Sequence, residues 1–164
     1  MRYPRFGLMI AVSTAVMFGV MYLNTFAVDH VFYSQTRMWM ALVMGAAMAV
    51  VMMAFMWSMY PDRKINLMIV AAAVVLFVVS LWLVRSQETV DDVSYMKAMI
   101  PYHSIAIMTS ARAHIKDPRV RKLADGIIEA QVREIREMKE LILDLEAEPV
   151  AKNSPDLQPS VSTQ

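Results

Sequence analysis

Three long stretches without a charged residue set the limits on this chain. Phe6 to Val28, Met38 to Tyr60 and Ile65 to Val84 each run for 20 residues or slightly more. As a helix, that length crosses a hydrocarbon core of about 30 Å. With 57% hydrophobic residues overall, the chain falls in the membrane class. The first stretch is long for a signal sequence, lacks a clear small-residue cleavage site and is followed by two more, so it reads as a retained helix. Tyr3, Phe6, Tyr22, Trp39, Trp57, Tyr60 and Trp82 lie mostly toward the ends of the stretches, as an aromatic belt requires.

The short flanks predict an orientation. Arg2, Arg5, Arg63 and Lys64 fall on one side, Arg37 and Arg85 on the other. The positive-inside bias then places the N-terminus in the cytoplasm and everything after Val84 outside, in the periplasm of a cell that has one. The expected location is therefore an inner (cytoplasmic) membrane, crossed several times.

Charge is unevenly placed. The first 84 residues hold five basic and two acidic residues; the remaining 80 hold eleven and thirteen. The second part is mixed in sign, with no basic patch for nucleic acid. Cysteine is absent, which excludes disulfides, thiolate zinc sites and cysteine nucleophiles.

Beyond the third stretch the pattern predicts two more helices. Thr89 is read as the cap of the first, with Asp91 and Asp92 in its opening turn, and the helix is expected to reach about Lys116 with a kink at Pro101. Asp117-Pro118 signals a turn that caps a second helix, running to about Glu146. The expected fold is all-α: a transmembrane region over 1–85, a helical hairpin over 86–148 and a disordered, Pro-rich tail over 149–164. Two helices alone bury little core, so the hairpin is expected to dimerise into a four-helix bundle or to pack on a partner.

Candidate chemistry sits on the facing stripes of that hairpin. The second helix carries Leu123, Ile127, Ile128, Ile135, Met138, Ile142 and Leu145 at helical spacing, interrupted by Gln131. The first carries Met96, Met99, Ile100, His103, Ile107 and Ser110. A turn centred on Asp117 sets His103 level with Gln131 and Met96 level with Met138, with Glu134 beside the seam. Thioethers with an imidazole and no thiolate form a ligand set suited to Cu(I) or Ag(I). The same pattern also describes an ordinary core, with the methionines as flexible filler and His103 hydrogen-bonded to Gln131. His114 falls near the turn and is expected at the surface. Ser104 beside His103 is not read as a nucleophile, because adjacent helical positions do not face each other.

In the second stretch Met40, Met44, Met48, Met52 and Met56 recur every fourth residue. The stripe could pass a soft cation or simply pack, with Gly45, Ala46 and Ala49 allowing close approach. No Asp, Glu, Lys, Arg or His lies inside the three stretches, which argues against a proton-coupled pump or an ion-coupled transporter. The Glu-x-x-His pair of di-iron bundles and the Gly-rich phosphate loop are also missing.

Met99-Ile100-Pro101-Tyr102-His103 and Gln131-x-x-Glu134-Ile135-x-x-Met138, with Asp117-Pro118-Arg119-Val120-Arg121-Lys122-Leu123-Ala124 between them, resemble the domain-of-unknown-function 305 family over about Asp92 to Leu143. The family consists of ferritin-like helical proteins, some of which bind copper in the periplasm, and the membrane part resembles that of its three-span members. The resemblance carries over Met99, His103, Gln131, Glu134 and Met138; Met96 matches a position held by Met or Phe. The family pattern has two adjacent histidines, and here the first is Tyr102. What the resemblance implies is an extracytoplasmic Cu(I) or Ag(I) site with Met96, Met99, His103 and Met138 as ligands. Gln131, Glu134 and Tyr102 would orient them or add to the shell. Such a protein sequesters or transfers metal and is not an enzyme. The alternative from the residues is a metal-free interaction module that dimerises or docks on a partner.

Overall fold

The structure is a computed structural model, and it describes residues 3–151, 154–157 and 160. Among these residues it is all-helical: α1 (Tyr3–Val20), α2 (Gln35–Phe55), α3 (Arg63–Ser86), α4 (Asp92–Arg112) and α5 (Pro118–Ala147). Short 3-10 turns at Val28–His30 and Trp57–Met59 sit in the connections. Arg2, and tail residues 152, 153, 158, 159 and 161–164, lie outside the described residues. Residues 149–151, 154–157 and 160 are in neither helix nor strand.

Helices α1, α2 and α3 are long and apolar enough to cross a membrane. Their 18, 21 and 24 residues give lengths of roughly 27, 32 and 36 Å. Leu8, Val12, Val16, Leu67, Val75 and Val78 point outward, where lipid rather than water suits them.

The first helix is shorter than the uncharged stretch predicts. It ends at Val20, and residues 21–34 fold back as a loop against α4 and α5. Absence of charge does not distinguish residues that face lipid from residues buried against another part of the chain. Asp62 caps α3 by accepting from the backbone N–H groups of Lys64 (2.9 Å) and Ile65 (3.2 Å). At the other end of α3, Gln87 takes a left-handed conformation (φ 54°), and its side-chain amide donates to the Val84 carbonyl at 2.6 Å.

Helix α2 is central, packed on α1 and α3. Its buried line is small: Ala41, Gly45, Ala46 and Ala49, ending at Met53. Met40, Met44, Met48, Met52 and Met56 are only half-buried beside it. Gly45 lies directly against the side chain of Thr14, whose hydroxyl is already committed to the Ile10 carbonyl at 2.8 Å.

Helices α4 and α5 form an antiparallel hairpin over a core of Met96, Ile100, Ile107, Ile135 and Ile142. Asp91, not Thr89, caps α4: its carboxylate accepts from the Ser94 N–H at 2.7 Å. That bond to the nascent helix holds the Asp91 carboxyl below the usual range, and a carboxylate at the positive end of the helix dipole is favoured there. The helix continues through Pro101, whose ring is buried, and stops at Arg112 rather than Lys116. The Asp117 cap and Pro118 at the first turn of α5 are as expected. Leu123, read as part of the α4-facing stripe, is instead 66% exposed, and Ala124 takes the buried place.

The Gly45 contact makes a testable point. Gly45→Ala forces Thr14 off its carbonyl and is expected to destabilise the bundle by about 1–3 kcal/mol in thermal unfolding in detergent. Thr14→Ala in the same chain should recover much of that loss, and Gly7→Ala, which meets open space, should be close to neutral.

Candidate metal centre

A cleft of about 450 Å³ opens between α4 and α5. From α4 it is lined by Asp92, Tyr95, Met96, Met99 and His103, and from α5 by Glu134, Glu137, Met138, Leu141 and Leu145. Met96, Met99, His103 and Met138, the four expected ligands, share this one space with Glu134. On α4, Met96, Met99 and His103 follow the one-turn spacing of a single helix face. Met96 is buried at the floor, and His103 keeps 14% side-chain exposure at the rim.

His103 is held at both nitrogens. Nδ1 lies 3.0 Å from the Met99 carbonyl and Nε2 lies 2.9 Å from Glu134 Oε2. Both oxygens are acceptors, so whichever ring nitrogen carries a proton donates to the oxygen it faces. A Nδ1–H donated to the carbonyl leaves Nε2 as the nitrogen that can carry a lone pair, the usual second-sphere arrangement for a ligating histidine. Glu134 stands at that nitrogen. Its side chain is 42% exposed, so it can turn toward solvent. Gln131 Nε2 donates to the same Glu134 oxygen at 3.4 Å.

The register differs from the expected one: His103 meets Glu134, not Gln131. The connection between Arg112 and Pro118 is extended, so α4 ends earlier than its uninterrupted pattern suggests, and the pairing shifts by about one turn. Gln131 reaches the site only through Glu134. Tyr102 does not line the cleft. Its ring lies 5.3 Å from the Arg37 guanidinium, which also stacks 4.6 Å over Tyr22. His114 is exposed, as expected. Among the described residues there is no group of three or more His, Cys, Asp or Glu side chains that could hold a metal. The cleft brings three thioethers and one imidazole together, with the carboxylates of Asp92, Glu134 and Glu137 also in its lining.

Sequence reasoning missed the neighbours of this cleft. Ser104 is fully buried, accepts from the Phe26 N–H at 2.7 Å and lies 3.0 Å from His30 Nδ1. Its histidine partner thus comes from the loop, and the enclosed hydroxyl ties that loop to α4. Lys139 reaches Asp29 of the same loop at 2.7 Å, a bond that lowers the Asp29 carboxyl, and Phe32 packs on the hairpin core. No local pattern marks residues 26–32 as partners of residues more than 70 positions away.

The family model described as Domain of unknown function (DUF305) matches residues 83–158. An uncharacterized protein of Acanthamoeba polyphaga mimivirus is 35% identical over 106 residues, 63% of this chain and 68% of the viral protein. The chain belongs to the DUF305 family. No solved structure matches it. The DUF305 match covers α4, α5 and the cleft, while the loop that docks on Ser104 lies outside it.

Burial depresses the His30 imidazole below its ordinary range, against the opposing pull of Asp29. The folded state therefore prefers neutral His30. The stability this gives is present above the ordinary histidine range and declines as pH falls through it toward the lowered folded value. The protection of residues 21–34 against hydrogen exchange, taken relative to the intrinsic exchange rate at each pH, should fall between pH 7.5 and pH 5, and His30→Gln should flatten that response. Ser104→Ala should accelerate exchange at both pH values by orphaning the Phe26 N–H, at a cost of about 1–3 kcal/mol.

Proposed function

We propose that the chain is a membrane-anchored, extracytoplasmic binding protein for Cu(I) or Ag(I) that sequesters or hands on the ion in metal resistance. The carrying observation is the lining of one cleft by Met96, Met99, His103 and Met138. Thioether sulfur and imidazole nitrogen prefer a soft monovalent cation, and no thiolate competes. The hairpin would sit on the periplasmic side of an inner membrane, with the N-terminus in the cytoplasm, following the charge bias of the flanks.

The protein's own groups supply two further elements. The Met99 carbonyl orients the His103 ring, and Glu134 occupies Nε2 until an ion displaces it. Glu134 then either stays near as a counter-charge or turns to solvent. The competing reading, a metal-free packing module, is favoured by the same two contacts, since they already satisfy His103 as a structural residue. The two readings separate at His103. Replacing it by leucine abolishes metal binding in the first, and in the second only leaves Glu134 and Gln131 to solvent.

The test is titration of the full-length protein in detergent with Cu(I) against a calibrated chelator. One ion per chain is expected, with affinity reduced at least about tenfold in His103→Ala and comparably in Met99→Leu/Met138→Leu. Unchanged affinity in His103→Ala would remove the central residue and the proposal with it. Because Tyr102 faces Arg37, Tyr102→His is expected to leave affinity unchanged.

A further inference from the structure

The hairpin leaves one flank of α5 open, and its two ends differ. Toward the C-terminal end lies the metal cleft, rimmed by Asp92, Glu134 and Glu137. Toward the N-terminal end lies a second groove of about 500 Å³, lined by Leu123, Gly126 and Ile127 and rimmed by Arg119 and Lys122. Leu123 (66% exposed) and Leu141 (44%) stand about five helical turns apart on this same flank, one at either end.

The charge order along α5 runs against its own dipole. Pro118 to Arg136 holds five basic and three acidic residues; Glu137 to Glu148 holds one basic and five acidic. No acid lies in the first turn and no base in the last. An isolated helix favours the reverse. A second helix of the same sequence, laid antiparallel, is favoured by this order, because it brings each basic end to an acidic one.

The hairpin lies so that such a neighbour can approach. Within thirteen residues α4 leaves the end of α3, stacks Tyr102 on Arg37 at the start of α2 and binds the α1–α2 loop through Ser104. Along that run, about 18 Å of helix, α4 stays against the start of α2 and the α1–α2 loop. On α4 the Tyr102 side meets α2, the Ile100 and Ile107 side meets α5, Ser104 meets the loop, and Met99 and His103 take the remaining flank. Two copies in one membrane are related by a twofold axis along the membrane normal, and helices lying along the surface then pair antiparallel.

We infer that a second copy of this chain seats on that flank with the two α5 helices antiparallel, so that the basic, leucine-lined groove of each copy covers the metal cleft of the other. A twofold axis near Val132 sets Leu123 level with Leu141 of the partner subunit, and Arg119 and Lys122 level with Asp144 and Glu140 of the partner subunit. Each cleft gains an apolar lid that it lacks alone. The lid rests on the metal reading of the cleft; the pairing itself does not, and the experiment is free of metal so that each can fail separately.

The chain has no cysteine, so introduced ones report cleanly. Full-length Leu123→Cys, Leu141→Cys and the double variant are oxidised with diamide in membranes. The double variant, and the two single variants co-expressed, are expected to give a covalent dimer, and either single variant alone to give almost none. Positions 123 and 141 of one helix are about 27 Å apart, which excludes an internal bond. Self-linking of a single variant comparable with that of the pair, or no linking in the pair, would overturn the proposal. Arg119→Glu should lower the yield several-fold, and adding Asp144→Arg should restore it; failure of that rescue with linking intact would overturn the register.

Discussion

Three consecutive residues of α4 tie the molecule together. Tyr102, His103 and Ser104 point in three directions, as successive positions 100° apart on a helix must. Tyr102 stacks on Arg37 of α2, His103 meets Glu134 of α5, and Ser104 receives the loop after α1. The three apolar helices, the cleft and the hairpin therefore share one turn of helix. Arg37 is nearly fully buried, with its cation between two aromatic faces and one N–H donated to the Met21 carbonyl at 2.6 Å. A buried cation is costly unless so held, and the aromatic contact at Tyr102 repays part of that cost. The departure from the family's paired histidines thus has a structural use here: position 102 belongs to the docking surface, and position 103 alone belongs to the cleft.

Glu134 is the residue that gives the cleft two possible states. With its carboxylate on Nε2, His103 is a satisfied, half-enclosed polar group that the hairpin core tolerates. With Glu134 turned away, the same nitrogen is oriented by the Met99 carbonyl and faces the methionines. Deleting the imidazole would strand Glu134 and Gln131, but both reach water, so the cost to stability is small. Core histidines and ligating histidines are hard to separate by pattern for this reason: they need the same orienting bond, and they differ only in whether the second partner can leave.

Much of this was legible in the residues. Uncharged length predicted three spans, and Asp117-Pro118 predicted the start of α5 to the residue. Helical spacing placed Met96, Met99 and His103 on one face and opposed them to Met138. The failures share a cause, which is contact between distant parts of the chain. Phe6–Val28 is continuous in composition, yet α1 ends at Val20, because Phe26 further along the stretch is held by Ser104. The turn after Arg112 shifted His103 from Gln131 to Glu134, a displacement no local rule gives. Leu123 satisfies the helical period but looks outward, since a stripe about two faces wide on α5 can serve the hairpin with only one of them.

The division of labour between the two halves follows from how methionine is used in each. On α2 the positions that pack are Ala41, Gly45, Ala46 and Ala49, where small side chains let helices approach. The groove between α1 and α2 is lined by these residues and, of the α2 methionines, by Met38. Met40, Met44, Met48, Met52 and Met56 flank that line half-buried, which is where a flexible, apolar filler is useful. A soft cation passing along a helix needs successive thioethers on one shared space, and the fourfold spacing of these residues instead drifts around a helix whose close contacts are made by its small residues. In the hairpin, by contrast, Met96, Met99 and Met138 come from two helices to one cleft with an imidazole among them. The same residue type is packing material in the anchor and the better candidate for chemistry in the domain it carries.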